Sequence, residues 1–90
     1  MLTARRYHVR GRVQGVGFRF YIRERAALEG LAGWVRNHED DSVEVEVEGE
    51  LEAVDRLERV LRHGPAGARV DAVDVVDVTP EGRRGFEVRR

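Results

Sequence analysis

The pattern of apolar and polar positions changes period along the chain, and each change predicts an element. From residue 6 to 13 it alternates: Tyr7, Val9 and Val13 fall on one side, and His8, Arg10 and Arg12 on the other. That is the signature of a half-buried strand. From Phe18 to about Glu29 the period lengthens, with Phe18, Ile22 and Ala26 spaced four apart, which predicts a helix that Gly30 stops in a left-handed conformation. Leu31 to Arg36 reads as a short second strand, and the polar run Asn37 to Asp41 as a turn. Val43, Val45 and Val47 then alternate with Glu44, Glu46 and Glu48 in a one-sided strand, so the two runs make a hairpin.

Gly49 ends that strand and begins a second helix, whose apolar stripe is Leu51, Val54, Leu57 and Leu61. Glu52 with Arg56, Asp55 with Arg59, and Glu58 with Arg62 are acid-before-base pairs, worth about 0.2–0.5 kcal/mol each in isolated helices. Gly64-Pro65 stops the helix. Residues 70 to 78 form a fourth strand whose apolar phase slips between Val75 and Val76, which predicts a bulge. After a turn at residues 79 to 82, Phe86 and Val88 alternate with Glu87 and Arg89 in a last strand. The order β-α-β-β-α-β plus a C-terminal strand predicts an α+β domain spanning residues 1–90. The expected form is a ferredoxin-like split βαβ sandwich, an antiparallel sheet with both helices on one face.

Composition narrows the partners. The 90 residues allow one core. At 41% hydrophobic and 37% charged, with a formal net charge of −1, the chain has no general pull toward nucleic acid or anionic membrane. No apolar run approaches the roughly 20 residues of a membrane span. The start Met1-Leu2-Thr3-Ala4-Arg5-Arg6 lacks a signal-peptide core, so a cytoplasmic protein is expected, and the small size and charged surface favour a monomer. With no cysteine there is no disulfide, thiolate nucleophile or Cys-ligated metal. All 16 basic residues are arginine, which leaves no lysine for covalent catalysis.

The densest chemistry lies where the first strand meets the first helix: Gly11-Arg12-Val13-Gln14-Gly15-Val16-Gly17-Phe18-Arg19. Its three glycines permit a tight turn and close approach of a ligand. The helix that follows points free N–H groups and the positive end of its dipole at the same place. Arg19 adds a planar guanidinium that can grip phosphate oxygens in pairs. These are the parts of a phosphate cradle. The spacing fits neither common nucleotide-binding glycine motif. Taken alone it favours a tight turn beside a surface arginine.

A second segment, Gly33-Trp34-Val35-Arg36-Asn37, changes that reading. Together the two resemble the acylphosphatase family, whose first signature has the form G-x-V-Q-G-V-x-F-R; Gly11 through Arg19 matches every fixed position. The second signature is G-[aromatic]-V-[basic]-N-x-x-x-G-x-V-x(5)-G, and Gly33, Trp34, Val35, Arg36, Asn37, Val43 and Gly49 match it. Asp41 stands where that signature has a turn glycine, at a small cost in a left-handed backbone. The resemblance covers the whole chain. It implies metal- and cofactor-free hydrolysis of the carboxyl–phosphate bond of small acyl phosphates. It also implies that the N–H groups of Gln14, Gly15, Val16, Gly17, Phe18 and Arg19, with the Arg19 guanidinium, hold the phosphoryl group. Inorganic phosphate would then be product and inhibitor, and Asn37 would orient the attacking water.

Such chemistry needs little more. The carboxylate leaving group, with a conjugate-acid pKa of about 4 by comparison with Glu, departs without protonation. The loose transition state spreads charge over three equatorial oxygens, which positioned N–H donors suit. The remaining candidates have bland readings. His8, His38 and His63 are scattered in sequence, as surface or strand-edge histidines are. Trp34 and Phe18 are expected in the core or the pocket wall. Arg5, Arg6, Arg10 and Arg12 are expected to pair with acidic neighbours. Glu39-Asp40-Asp41 reads as a solvated acidic turn. The alternative function is a non-catalytic ferredoxin-like module that binds phosphate or a partner. An RNA-recognition domain shares the element order, but Glu44, Glu46 and Glu48 stand where such a domain places stacking aromatics.

Overall fold

The computed structural model describes residues 1–90. Five strands and two helices follow in the predicted order: β1 (Leu2–Arg12), α1 (Phe18–Leu28), β2 (Ala32–Asn37), β3 (Val43–Glu50), α2 (Leu51–His63), β4 (Arg69–Val78) and β5 (Phe86–Arg89). The strands form one sheet in the order β4-β1-β3-β2-β5. Each neighbouring pair is antiparallel except β2–β5, which is parallel. Both helices cover one face. Val43, Val45 and Val47 of β3, Tyr7 and Val9 of β1, and Val35 of β2 meet Phe18, Ile22 and Ala26 of α1 and Val54, Leu57 and Leu61 of α2 in one buried cluster. The split βαβ prediction holds, with the added strand beside β2.

Several expectations need correction. β1 begins at Leu2, because its outer residues pair with β3 as far as Glu50. β4 has no bulge at Val75–Val76. Its register runs unbroken there, with Tyr7 opposite Val75 and Arg6 opposite Val76. Both valines are exposed along this edge strand, so the slipped apolar phase reflects an unburied edge. The register irregularity lies instead at Arg10/Gly11. There an added Cβ on Gly11 (φ +134°) would sit 2.1 Å from the Arg69 carbonyl oxygen. Gly11 therefore serves the strand pairing and not the phosphate loop.

Charge pairing in α2 also differs. Only Glu58–Arg62 forms within the helix. Arg56 instead reaches Glu29 at 2.7 Å, and Asp55 receives Arg5 at 2.8 Å. The long side chains tie helix to helix and helix to sheet. Arg5, Arg6 and Arg10 are paired as expected, on both faces of β1, whereas Arg12 has no ion pair.

The glutamates of β3 point to the face without helices, yet Glu46 and Glu48 are buried. Arg6 reaches Glu46 at 2.8 Å, and Arg83 lies 3.5 Å from it. The Glu48 carboxylate accepts three backbone N–H groups, from Glu81 (3.0 Å), Gly82 (2.8 Å) and Arg83 (3.0 Å). The segment before β5 is thus pinned across the sheet by one carboxylate. Trp34 is buried on this face too, outside the main core, under the guanidinium groups of Arg89 and Arg36, 4.8 and 5.6 Å from its ring centroid.

Candidate active site

The segment between β1 and α1 is shaped by two left-handed residues. Gly15 has φ +73° and Gly17, the residue preceding the helix, φ +76°. An added Cβ would meet nothing within 4 Å at either position, so it is the backbone conformation that demands glycine there. The turn leaves donors free. Tyr21 is the first residue of the helix whose N–H bonds back, to the Gly17 carbonyl at 3.0 Å. No side chain caps the helix, and no N–H from residue 14 to residue 20 donates within the protein. Alternating left-handed glycines ahead of a helix N-terminus form a nest with positive potential, suited to an anion.

These donors border a hollow of about 110 Å³ lined by Val13, Gln14, Gly15, Gly17, Phe18, Arg19, Phe20 and Asn37. It contains no acidic side chain. Val13 and Phe18 are buried and fix its floor to the core. Arg19, second residue of α1, donates through Nη1 to the Arg89 carbonyl oxygen at 2.8 Å. That bond holds one arm of the guanidinium and leaves the other N–H groups of its five free.

Asn37 enters from the end of β2. Its side-chain oxygen Oδ1 is buried and has no hydrogen-bond partner. An unpaired buried acceptor costs about 1–3 kcal/mol, so it calls for a donor that the protein does not supply. The β2–β3 turn behind it is tight. His38 N–H bonds the Ser42 carbonyl at 2.9 Å, Asp41 N–H bonds the His38 carbonyl at 3.2 Å, and Asp41 takes φ +72°. Asp41 therefore adopts the left-handed conformation for which a glycine is expected, and the three-residue hairpin loop is kept. Asp40 braces the turn by accepting from the Ser42 N–H at 3.1 Å and from its hydroxyl.

Of the six predicted phosphate-loop residues, five line the hollow. Val16 does not; its side chain packs against the core. Gln14 has a role that sequence alone did not disclose. Its Nε2 donates to both the His38 carbonyl (2.8 Å) and the Ser42 carbonyl (2.9 Å), which ties the glycine loop to the hairpin that carries Asn37. Two of the three histidines are not scattered. His8 and His38 have ring centroids 5.4 Å apart at the same hairpin; His8 meets the Ser42 hydroxyl, and His38 meets Glu44 at 2.8 Å. Only tertiary structure brings residues 8 and 38 together, because β1 and β2 flank β3.

Comparison with known proteins bears on what such a site does. The family model described as Acylphosphatase matches residues 5–88. An acylphosphatase of Pseudomonas paraeruginosa (strain DSM 24068 / PA7) is 54% identical over 83 residues, covering 92% of this chain and 91% of the relative. One of Rubrobacter xylanophilus is 53% identical over 85 residues, covering 93% of this chain and 77% of the relative. Among solved structures, the crystal structure of acylphosphatase from Bacillus subtilis superposes with a TM-score of 0.95 at 35% identity, covering the whole of both chains.

Proposed function

The chain belongs to the acylphosphatase family and hydrolyses acyl phosphates, and from that premise we propose how its residues divide the work. The phosphoryl group sits in the hollow between the glycine loop and Asn37. The free N–H groups of residues 14–19 and the unanchored arm of Arg19 bind its equatorial oxygens. The Asn37 Oδ1 accepts a hydrogen bond from a water and holds it facing phosphorus. The water oxygen bonds to phosphorus as the carboxylate departs, taking the bond's electron pair; one water proton passes to solvent or to a phosphate oxygen. As charge spreads over the phosphoryl oxygens, the donors around it gain strength without reorganising. The carboxylate leaves as an anion, so the absence of an acid in the hollow is no obstacle.

The observation that carries this reading is that Asn37, with its orphaned side-chain oxygen, lines the same hollow as a run of unpaired N–H donors. One side supplies an acceptor for water and the other supplies donors for an anion. On the finer points the reading is a metal-independent monomer, cytoplasmic, acting on small molecules and not on nucleic acid or membranes. In support, no helix is long and apolar enough to cross a membrane. Buried glutamates also occupy the sheet face where an RNA reader stacks bases. Family membership decides against the non-catalytic module.

Hydrolysis of acetyl or benzoyl phosphate in the presence of EDTA tests the metal independence; loss restored by magnesium would refute it. Asn37→Ala tests the division of roles. It should lower kcat by about 100-fold or more while phosphate inhibition changes little, because the contact removed is made to the nucleophile. Preserved kcat with weakened phosphate affinity would reassign Asn37 to binding.

A further inference from the structure

Resting on the acyl phosphate reading and adding the leaving-group side to it, we propose that Phe20 is a specificity-determining platform. Its ring, steadied by Arg23, receives the acyl group at the mouth of the hollow and favours flat or apolar acyl groups over acetyl. The hollow's volume of about 110 Å³ matches three or four waters in the liquid, at about 30 Å³ each. That is room for a phosphoryl group and its water. The acyl group lies outside, against whatever stands at the rim.

Most of the lining offers it nothing. Val13 and Phe18 are 1% exposed and belong to the core. Gly15 and Gly17 have no side chain and open space beside them. The Gln14 amide nitrogen is committed to two carbonyls of the hairpin. Phe20 alone is large, apolar and exposed, at 51%. It stands off the stripe Phe18, Ile22 and Ala26 by which α1 meets the core, so packing does not account for an aromatic residue there.

Arg23 follows three residues later on the same helix surface. Its guanidinium carbon lies 5.1 Å from the Phe20 ring centroid, and it has no ion pair with any carboxylate of the chain. A cation over the ring holds it in place. The exposed remainder of the ring is a flat apolar surface for the acyl group whose carboxylate oxygen leaves phosphorus.

The test compares kcat/KM for benzoyl phosphate and acetyl phosphate, with inhibition by inorganic phosphate measured alongside. Phe20→Ala should lower kcat/KM for benzoyl phosphate about 3- to 10-fold, the range of an aromatic contact. Acetyl phosphate turnover and phosphate inhibition should stay within about twofold. Phe20→Tyr should restore the benzoyl-to-acetyl ratio. An unchanged ratio in Phe20→Ala would overturn the proposal, whether both substrates lose rate together or neither does. A wild-type protein inactive on both substrates would overturn the acyl phosphate reading itself, and this proposal with it.

Discussion

Arg19 shows how much one side chain's surroundings matter. It is the one charged residue in the hollow, and the Arg89 carbonyl fixes one arm of its fork. Lysine would keep the charge but lose the planar multi-point grip. Arg19→Lys should therefore reduce kcat/KM for acetyl phosphate by about 100-fold and weaken phosphate inhibition, since a well-placed donor is worth about that much. Its unfolding midpoint should move by less than the equivalent of about 1 kcal/mol, because the residue starts a helix and fills no core position. Activity near wild type would show that a point charge suffices. The left-handed loop glycines were legible in the sequence because their type answers a local demand of the backbone, whereas Arg19 and Asn37, which alone read as a surface arginine and a turn residue, were singled out by the two signatures together. The Gln14 clamp was not legible, since its acceptors lie 24 and 28 residues away. Gly11 was misread for the same reason: the carbonyl that forbids its side chain belongs to β4.

At the scale of elements, β3 governs the charged face of the sheet. The alternation of Val and Glu gave its two faces correctly from sequence. It could not show that Arg6, Arg83 and the 81–83 turn would close over Glu46 and Glu48. Two of the three i,i+4 pairs of α2 failed similarly, because Glu29 and Arg5 competed for the same partners from other elements. Glu44 provides a measurable consequence. Burial pushes its carboxyl up, but hydrogen bonds with His38 and Arg36 outweigh that and hold it below the ordinary glutamate value. The unfolded chain takes up this proton near pH 4.3, as an ordinary glutamate does. Above about that pH the ionised carboxylate stabilises the fold; as pH falls through the lower folded value, the contribution disappears. Glu44→Gln should thus melt about 4–8 °C below wild type at pH 7, for a contribution on the order of 1 kcal/mol. The gap should close as pH falls below the ordinary glutamate range, and a gap independent of pH would place the effect in packing.

Across the whole molecule, the site draws on three distant stretches of chain: the loop of residues 14–19, Asn37 at the end of β2, and the Arg89 carbonyl on β5. β5 follows every other element in sequence, and it joins the sheet only by lying parallel to β2. Such a pairing closes a long loop and is slow to form compared with a hairpin. During synthesis, at roughly 5–20 residues per second, the glycine loop and Asn37 emerge well before the strand that aims Arg19. The aim of the Arg19 guanidinium thus waits on a strand pairing between stretches of chain far apart in sequence.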